Sequence, residues 1–405
     1  MNMLARLRQR LVVVGNGMAG AMALEEILAR APGRFDITVF GAEPHGSYNR
    51  ILLSPLLAGD IEFADIVTHD AAWYAANDIE LMAGEAVIQI DRTSRMVRGE
   101  RGTIRDYDLL LLATGSDPVV LPISGADRPG VFTFRDIADV DAMRAASRTS
   151  RRAVVIGGGL LGLEAAHGLC RNGMTVTVVH VMPGLMERQL DAMSATLLAQ
   201  TVKARGISVL TSASTAAVLG KDRVTGIALT DGRTIPADMV VMAAGTRPRS
   251  ALARAAGLEC ARGVRVDDAM RTSDPLIHAI GECAEHDGVV VGLVAPIRDM
   301  AHVFAQRAAG DFTAQYSPAV AATHLKVSGI DTFSAGDFLG DDKSEAISFR
   351  DIAQGVHRRL VLRGDRLVGI AMVGDARDCG WYFDLLQRGA DVSALRDALA
   401  FGAAA

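Results

Sequence analysis

LVVVGNGMAG at Leu11–Gly20 decides the fold, because it returns as AVVIGGGLLG at Ala153–Gly162. Each copy runs from an apolar β-branched stretch through G-x-G-x-x-G into an Ala/Leu-rich helical stretch. A single glycine pattern of this kind arises by chance, but two in the same strand, turn and helix setting do not. A second strand follows each copy, at Asp36–Phe40 and at Thr175–Val179. Gly15, Gly17 and Gly20, and again Gly157, Gly159 and Gly162, fit the three tasks of a phosphate loop. The first makes a tight turn, the second lets backbone approach a pyrophosphate, and the third allows close helix–strand packing. Met18 and Ala19, with Leu160 and Leu161 in the second copy, supply the N–H groups that open each helix toward an anion. The expectation is an α/β protein with two Rossmann-like dinucleotide-binding domains.

A second pair of echoes lies further on, LLLLATGSDP at Leu109–Pro118 and MVVMAAGTRP at Met239–Pro248. Both read as a buried strand running into a small-residue turn that ends in proline. Ala113, Thr114, Gly115 and Gly245 sit in those turns and are candidate cofactor contacts. Since each unit closes with such a strand, the second unit is inserted in the first. The domains read as 1–118 with 246–320, then 119–245, then 321–405. The last of these is α+β. Strands are expected at Ala346–Phe349, Val356–Arg363 and Arg366–Val373, the latter two joined by a Gly364-Asp365 turn. Helices are expected at Trp381–Arg388 and at Val392–Phe401, the second capped by Asp391. Trp381, Tyr382 and Phe383 suit either a homodimer interface or the domain's own core, and the core is favoured.

The 405 residues are 50% hydrophobic, enough for a sizeable core in two or three domains. Lys and Arg total 42 against 47 Asp and Glu, a net charge of -5, which offers no basic field for nucleic acid or an anionic membrane. Cys170, Cys260, Cys283 and Cys379 stand apart, without the spacing of a dithiol, an iron–sulfur cluster or a metal site. They read as reduced thiols. The basic start, Met1–Arg10, precedes an apolar run too short for a signal peptide or membrane span, so a cytoplasmic protein is expected.

Several side chains carry the chemistry. Glu43, at the end of the strand after the first glycine motif, is placed to bond a ribose hydroxyl pair. Arg50, in HGSYNRILLSP, is placed to pair with a pyrophosphate. At the equivalent of Glu43 the second unit carries His180, with Arg188 beyond it. The absence of an acid there permits a 2′-phosphate without requiring one, so NADH and NADPH both stay open. Glu164 is expected on the first turn of the second glycine helix, either bonding a nicotinamide carboxamide or serving as a helix-start charge. In IHAIGECAEHDGVVVGLVAPIRDMAHVFAQ, Ile277–Gln306, a strand leads to Gly281 and Glu282, and a helix begins near Pro296 as first helical residue. Ile297, Met300, Ala301, Phe304 and Ala308 mark its buried face. With a flavin in the first unit, Val294, Ala295 and the helix dipole at Pro296 would stabilise negative charge on it, and Glu282 would hold ribityl hydroxyls.

These segments together resemble the FAD-dependent pyridine nucleotide-disulfide oxidoreductase superfamily. The resemblance rests on VVVGNGMAG, FGAEPHGSYNRILLSPLLAG, ATGS-x-P, VVIGGGLLGLEAAHGL, HVMPGLMERQLD, VVMAAGTRP, AIGECAEHDG and GLVAP, and extends through LKVSGIDTFSAGDF, Leu325–Phe338. More narrowly, they are similar to the flavin portion of assimilatory NAD(P)H nitrite reductase large subunits and to nitrate reductase electron-transfer subunits. The resemblance implies a diaphorase, in which NAD(P)H reduces FAD and FAD passes electrons singly to a redox partner. That partner would be an iron–sulfur carrier or a nitrite or nitrate reductase subunit, with a rubredoxin or ferredoxin reductase as the alternative. A flavin-bearing redox sensor resembling apoptosis-inducing-factor-like proteins is the competing class. Disulfide- and peroxide-reducing relatives carry a cysteine where Ser54-Pro55 stands, so a thiol mechanism is not expected. Without cluster cysteines the chain is not expected to reduce nitrite alone, and Cys283 is expected to be structural.

Overall fold

Leu11–Val14 shows no polar alternation because both faces of its strand are covered, as a parallel sheet requires. All four residues are at most 4% exposed. The computed structural model describes residues 8–318, 320, 322–327 and 329–403. Met1–Leu7 of the basic start, Ala321 at the expected domain boundary, and Ser328 in the LKVSGIDTFSAGDF segment lie outside the described residues.

The chain opens with β1 (Gln9–Val14), α1 (Met18–Arg30) and β2 (Phe35–Gly41), followed by α2 (Leu53–Ala58), β3 (Ile79–Ala83) and β4 (Leu109–Leu112). The inserted part carries β5 (Val131–Thr133), α3 (Ile137–Ser147), β6 (Arg152–Ile156), α4 (Leu160–Arg171), β7 (Thr175–Val179), α5 (Ala192–Ala204), β8 (Ile207–Leu210) and β9 (Met239–Met242). Then β10 (Ile277–Ala279) and α6 (Val294–Ala309) complete the first part. The remainder is β11 (Ala322–Val327), β12 (Ile330–Gly336), β13 (Glu345–Asp351), β14 (Val356–Arg363), β15 (Arg366–Val373) and α7 (Cys379–Arg388).

Two compact units result: Met1–Ile51, Phe63–Asp117 and Thr246–Ala319 form one, and Leu52–Glu62, Pro118–Gly245 and Val320–Ala405 the other. The first is centred on a parallel sheet ordered β10-β4-β1-β2-β3. Alternation along β1 feeds two cores. Leu11 and Val13 pack with Leu24 of α1 and Met300 and Phe304 of α6. Val12 and Val14 pack on the other face with Leu110, Leu112 and Ile277. In α6, Met300, Ala301 and Phe304 are fully buried, which is the face their spacing predicts.

The second unit repeats the architecture with a parallel sheet ordered β5-β9-β6-β7-β8. Residues 52–62 group with it because α2 lies on α4. The Leu57 side chain occupies the space a Cβ on Gly168 would need, 2.8 Å away, and Asn172 Nδ2 donates to the Leu57 carbonyl at 2.8 Å. Its C-terminal part is an antiparallel sheet ordered β11-β12-β15-β14-β13. Tyr382 on α7 is fully buried in that domain's core, with Trp381 and Phe383 packed beside it.

The second expected C-terminal helix does not form. Val392–Phe401 makes only the short 3-10 turns Ser393–Leu395 and Leu399–Phe401. The carbonyls of Leu399 and Ala400, which a helix ending at Phe401 would leave unpaired, accept from the Tyr382 hydroxyl at 2.6 Å and Arg358 Nη1 at 2.9 Å. Asp391 accepts the Ser393 N–H at 2.9 Å, but the N-cap of that 3-10 turn is Val392, so the expected cap does not form. Among the described residues no helix is long and apolar enough to cross a membrane.

Candidate functional site

The repeat seen in the sequence persists in the hydrogen bonds. Gly15 N–H donates to the Phe40 carbonyl at 2.8 Å, and Gly157 N–H donates to that of Val179 at 2.9 Å. Ala113 N–H donates to Val14 at 2.8 Å, and Ala243 N–H to Ile156 at 2.9 Å. Gly15 and Gly157 have φ of +114° and +126°, and a Cβ on either would lie 2.1 or 2.2 Å from the carbonyl oxygen of Ala113 or Ala243. Gly20 and Gly162 are as tightly held, with a Cβ falling 2.3 and 2.0 Å from the oxygens of Gly15 and Gly157.

The middle glycines differ. A Cβ on Gly17 would meet nothing nearer than Arg50 Nε at 3.9 Å, and one on Gly159 nothing within 4 Å. Each leaves open space over the first turn of its helix, where Met18 and Ala19, or Leu160 and Leu161, present N–H groups. Among the described residues no side chain caps α1 or α4. By contrast Asp136 caps α3 and Asp191 caps α5. An uncapped helix start behind an open glycine suits a pyrophosphate, so both cradles fit a dinucleotide.

In the first unit, Glu43 and Arg50 form an ion pair with each other. The Tyr48 hydroxyl donates to Glu43 Oε2 at 2.6 Å, and the Arg50 guanidinium lies over the Tyr48 ring, 4.9 Å from its centroid. Asn16, inside the glycine loop, accepts at 2.6 Å from the buried Tyr74 hydroxyl. Neither tyrosine was singled out in the sequence: Tyr48 stands inside the HGSYNRILLSP segment without a charge to mark it, and Tyr74 lies outside every motif. Thr114 Oγ donates to the Arg249 carbonyl at 2.8 Å, Gly115 has φ of +70°, and Ala113 is buried.

Gly281, with φ of +77°, comes so close to α1 that a Cβ would lie 2.8 Å from Ala19 Cβ. That approach brings Glu282 beside the first glycine loop, where Ser116 Oγ donates to its Oε2 at 3.0 Å. α6 begins with Leu293 as N-cap and no side-chain cap. Pro296 is therefore its third residue and not its first. Since none of the first four N–H groups of a helix has an intrahelical partner, proline costs nothing there and Val294 and Ala295 remain as donors. Cys283 is fully buried, its thiol directed at the carbonyls of Ile280 and Leu112 at 3.2 and 3.5 Å, and burial pushes its pKa up.

In the second unit, Glu164 is the fifth residue of α4, past the first turn, so a helix-start charge does not explain it. Burial alone raises its carboxyl from 4.5 to about 7. Ser54 on α2 donates to the Glu164 carbonyl at 3.4 Å. Gly245, with φ of +106°, has open space around it. His180 is 7% exposed, and Arg188 is exposed without a hydrogen bond or ion pair among the described residues. His180 is bonded to Gly158 and Glu187, two residues that the motif reading passed over.

Two parallel-sheet units with matching nucleotide cradles, one inserted in the other, define a two-nucleotide oxidoreductase. The pyridine nucleotide-disulphide oxidoreductase family model matches residues 9–310, and the rubredoxin NAD+ reductase C-terminal domain matches residues 322–390. The chain belongs to the pyridine nucleotide-disulphide oxidoreductase family, and its cofactors are FAD and NAD(P)H. It is 48% identical over 386 residues to the nitrite reductase [NAD(P)H] of Bacillus subtilis, covering 95% of this chain and 48% of that protein. It is 42% identical over 386 residues to that organism's assimilatory nitrate reductase electron transfer subunit, covering 95% of this chain and 50% of the other. The chain thus spans about half the length of these relatives. Among solved structures, the ferredoxin reductase for the CYP199A2 system of Rhodopseudomonas palustris superposes with a TM-score of 0.86 at 27% identity, covering 96% of this chain and all (100%) of that one.

Proposed function

We propose that the first unit holds FAD and the inserted unit NAD(P)H, and that the chain is a cytoplasmic diaphorase serving a separate redox protein of nitrite or nitrate assimilation. The observation that carries this reading is the doubled, uncapped glycine cradle in a chain whose four cysteines are free and scattered. With no dithiol to relay electrons, they leave through the flavin itself.

When bound, FAD takes an electron pair from NAD(P)H and gives the electrons up singly. The chain's own groups bind and orient. The N–H groups at Met18 and Ala19 take the flavin nucleotide's pyrophosphate, with Arg50 neutralising it and Glu43 holding the ribose. Glu282 holds ribityl hydroxyls, while the Val294 and Ala295 N–H groups and the α6 dipole stabilise negative charge on the isoalloxazine, with Pro296 shaping that turn. The N–H groups at Leu160 and Leu161 do for NAD(P)H what Met18 and Ala19 do for FAD. Glu164, protonated below pH 7, donates a hydrogen bond to the nicotinamide carboxamide.

Stopped-flow mixing with NADH or NADPH tests the entry step, and rapid flavin bleaching with reoxidation by an artificial acceptor is expected. Bleaching slower than any turnover would instead support the nucleotide-sensor class. Purified carriers test the exit step. A rubredoxin or ferredoxin reductase is the second reading, supported by the C-terminal domain match at residues 322–390. Reduction of rubredoxin, but not of a nitrite or nitrate reductase partner, would select it.

A further inference from the structure

His180 stands where a dinucleotide-binding strand ordinarily ends in an acid, directly after β7. Its ring does not point away as a placeholder. Nδ1 accepts the Gly158 N–H at 3.0 Å, and Nε2 lies 3.0 Å from Glu187 Oε2. Because Nδ1 must offer its lone pair to that N–H, the proton of the neutral ring sits on Nε2 and is donated to the Glu187 carboxylate. Gly158 is the residue between the first two glycines of the phosphate loop. It is glycine for this contact, since a Cβ there would lie 2.7 Å from His180 Cγ and 2.6 Å from Leu185 Cδ2. The following loop is tied to the same residue: Met186, at φ +52°, donates its N–H to the Gly158 carbonyl at 3.0 Å. Both backbone polar groups of Gly158 are therefore used to set Glu187 in place.

We infer that Glu187, positioned by His180, replaces the missing strand-end acid as the group that accepts from the adenosine ribose 2′-hydroxyl, and so makes this protein an NADH enzyme that rejects NADPH. The inference rests on the assignment of NAD(P)H to the inserted unit. The arrangement has the electrostatics of an ordinary acid, because a neutral imidazole adds no charge and the Glu187 carboxylate contributes one negative charge. Only one carboxylate oxygen is used by His180, leaving lone pairs for a hydroxyl donor. A 2′-phosphate in the same place brings like charges together in a partly enclosed loop, where Glu187 is 35% exposed. Arg188 is the neighbouring cation, but it is exposed and among the described residues no hydrogen bond or ion pair directs it back to the phosphate loop.

ADP-ribose and 2′-phospho-ADP-ribose, which lack the nicotinamide, separate ribose recognition from electron transfer. Calorimetry on the FAD-loaded protein is expected to give ADP-ribose tighter binding by on the order of tenfold or more. Glu187→Gln is expected to bring the two ligands within about threefold, chiefly by improving the phosphorylated one. His180→Asn, which can still accept from Gly158 but cannot reach Glu187, is expected to narrow the gap in the same direction. The ratio of NADH to NADPH kcat/KM for flavin reduction should follow these affinities. Tighter binding of the 2′-phosphate ligand by the wild type overturns the inference and assigns the pocket to Arg188. An unchanged ratio in Glu187→Gln overturns it as well. If neither ADP-ribose ligand binds and neither nucleotide bleaches the flavin, the functional assignment itself fails, which is a separate outcome.

Discussion

Glu164 has a carboxyl raised from 4.5 to about 7 by burial, with no cation contributing. Such a group makes folding depend on pH in a fixed direction. It binds its proton more tightly in the native state than in the unfolded chain, so its contribution is fully present below pH 4.5 and is lost as pH rises through about 7. At about 1.4 kcal/mol for each tenfold change, the loss between pH 5 and pH 8 is about 2.5 kcal/mol. Glu164→Gln keeps the shape and removes the titration. The stability difference between variant and wild type in the flavin-loaded, nucleotide-free protein should therefore grow by about 2.5 kcal/mol from pH 5 to pH 8, in favour of the variant. Urea unfolding at the two pH values measures it, and carboxyl carbon NMR, assigned by the signal missing from the variant, reads the titration directly. A growth under about 0.5 kcal/mol, with a resonance titrating in the ordinary carboxylate range, would refute the account of Glu164 as a buried acid that is protonated near neutrality.

Gly157→Ala puts a side chain at φ of +126° against the Ala243 carbonyl, so nucleotide binding by the second unit should fall at least tenfold while flavin content is retained. Equilibrium dialysis beside the flavin absorbance checks both. Arg50→Ala removes the partner of Glu43 and a cation beside the Gly17 cradle, and should weaken FAD retention by on the order of tenfold in a dilution assay. Cys283→Ala should leave flavin reduction within about twofold of wild type, and Cys283 should resist alkylation in the native protein, because the thiol is buried. Tyr382→Phe deletes the hydroxyl bonded to the Leu399 carbonyl and to Arg358, and should cost about 1–2 kcal/mol of stability by urea titration.

The sequence by itself determined the two sheets, the insertion and the positions of the glycine turns. Those features rest on local chemistry: apolar β-branched runs form buried strands, and glycines mark places where backbone must come close to backbone. The helix expected at Val392–Phe401 was not legible in this way. Its apolar spacing suits a helix, but the N–H groups of Leu395, Ala398 and Phe401 bond three residues back and not four, and Tyr382 and Arg358, distant in sequence, hold its end by the Leu399 and Ala400 carbonyls. The tertiary structure also decided how the charged site residues pair. In sequence, Glu43 and Arg50 are two independent candidates, whereas folding joins them as an ion pair beside Tyr48. His180 reads as a missing acid until β7 and the loop after it are folded. Then a carboxylate seven positions on in the chain returns to the imidazole, because both polar groups of Gly158 hold that loop in place. Backbone glycine chemistry is written locally, but the partner of a charged side chain is set by which loops the fold brings together.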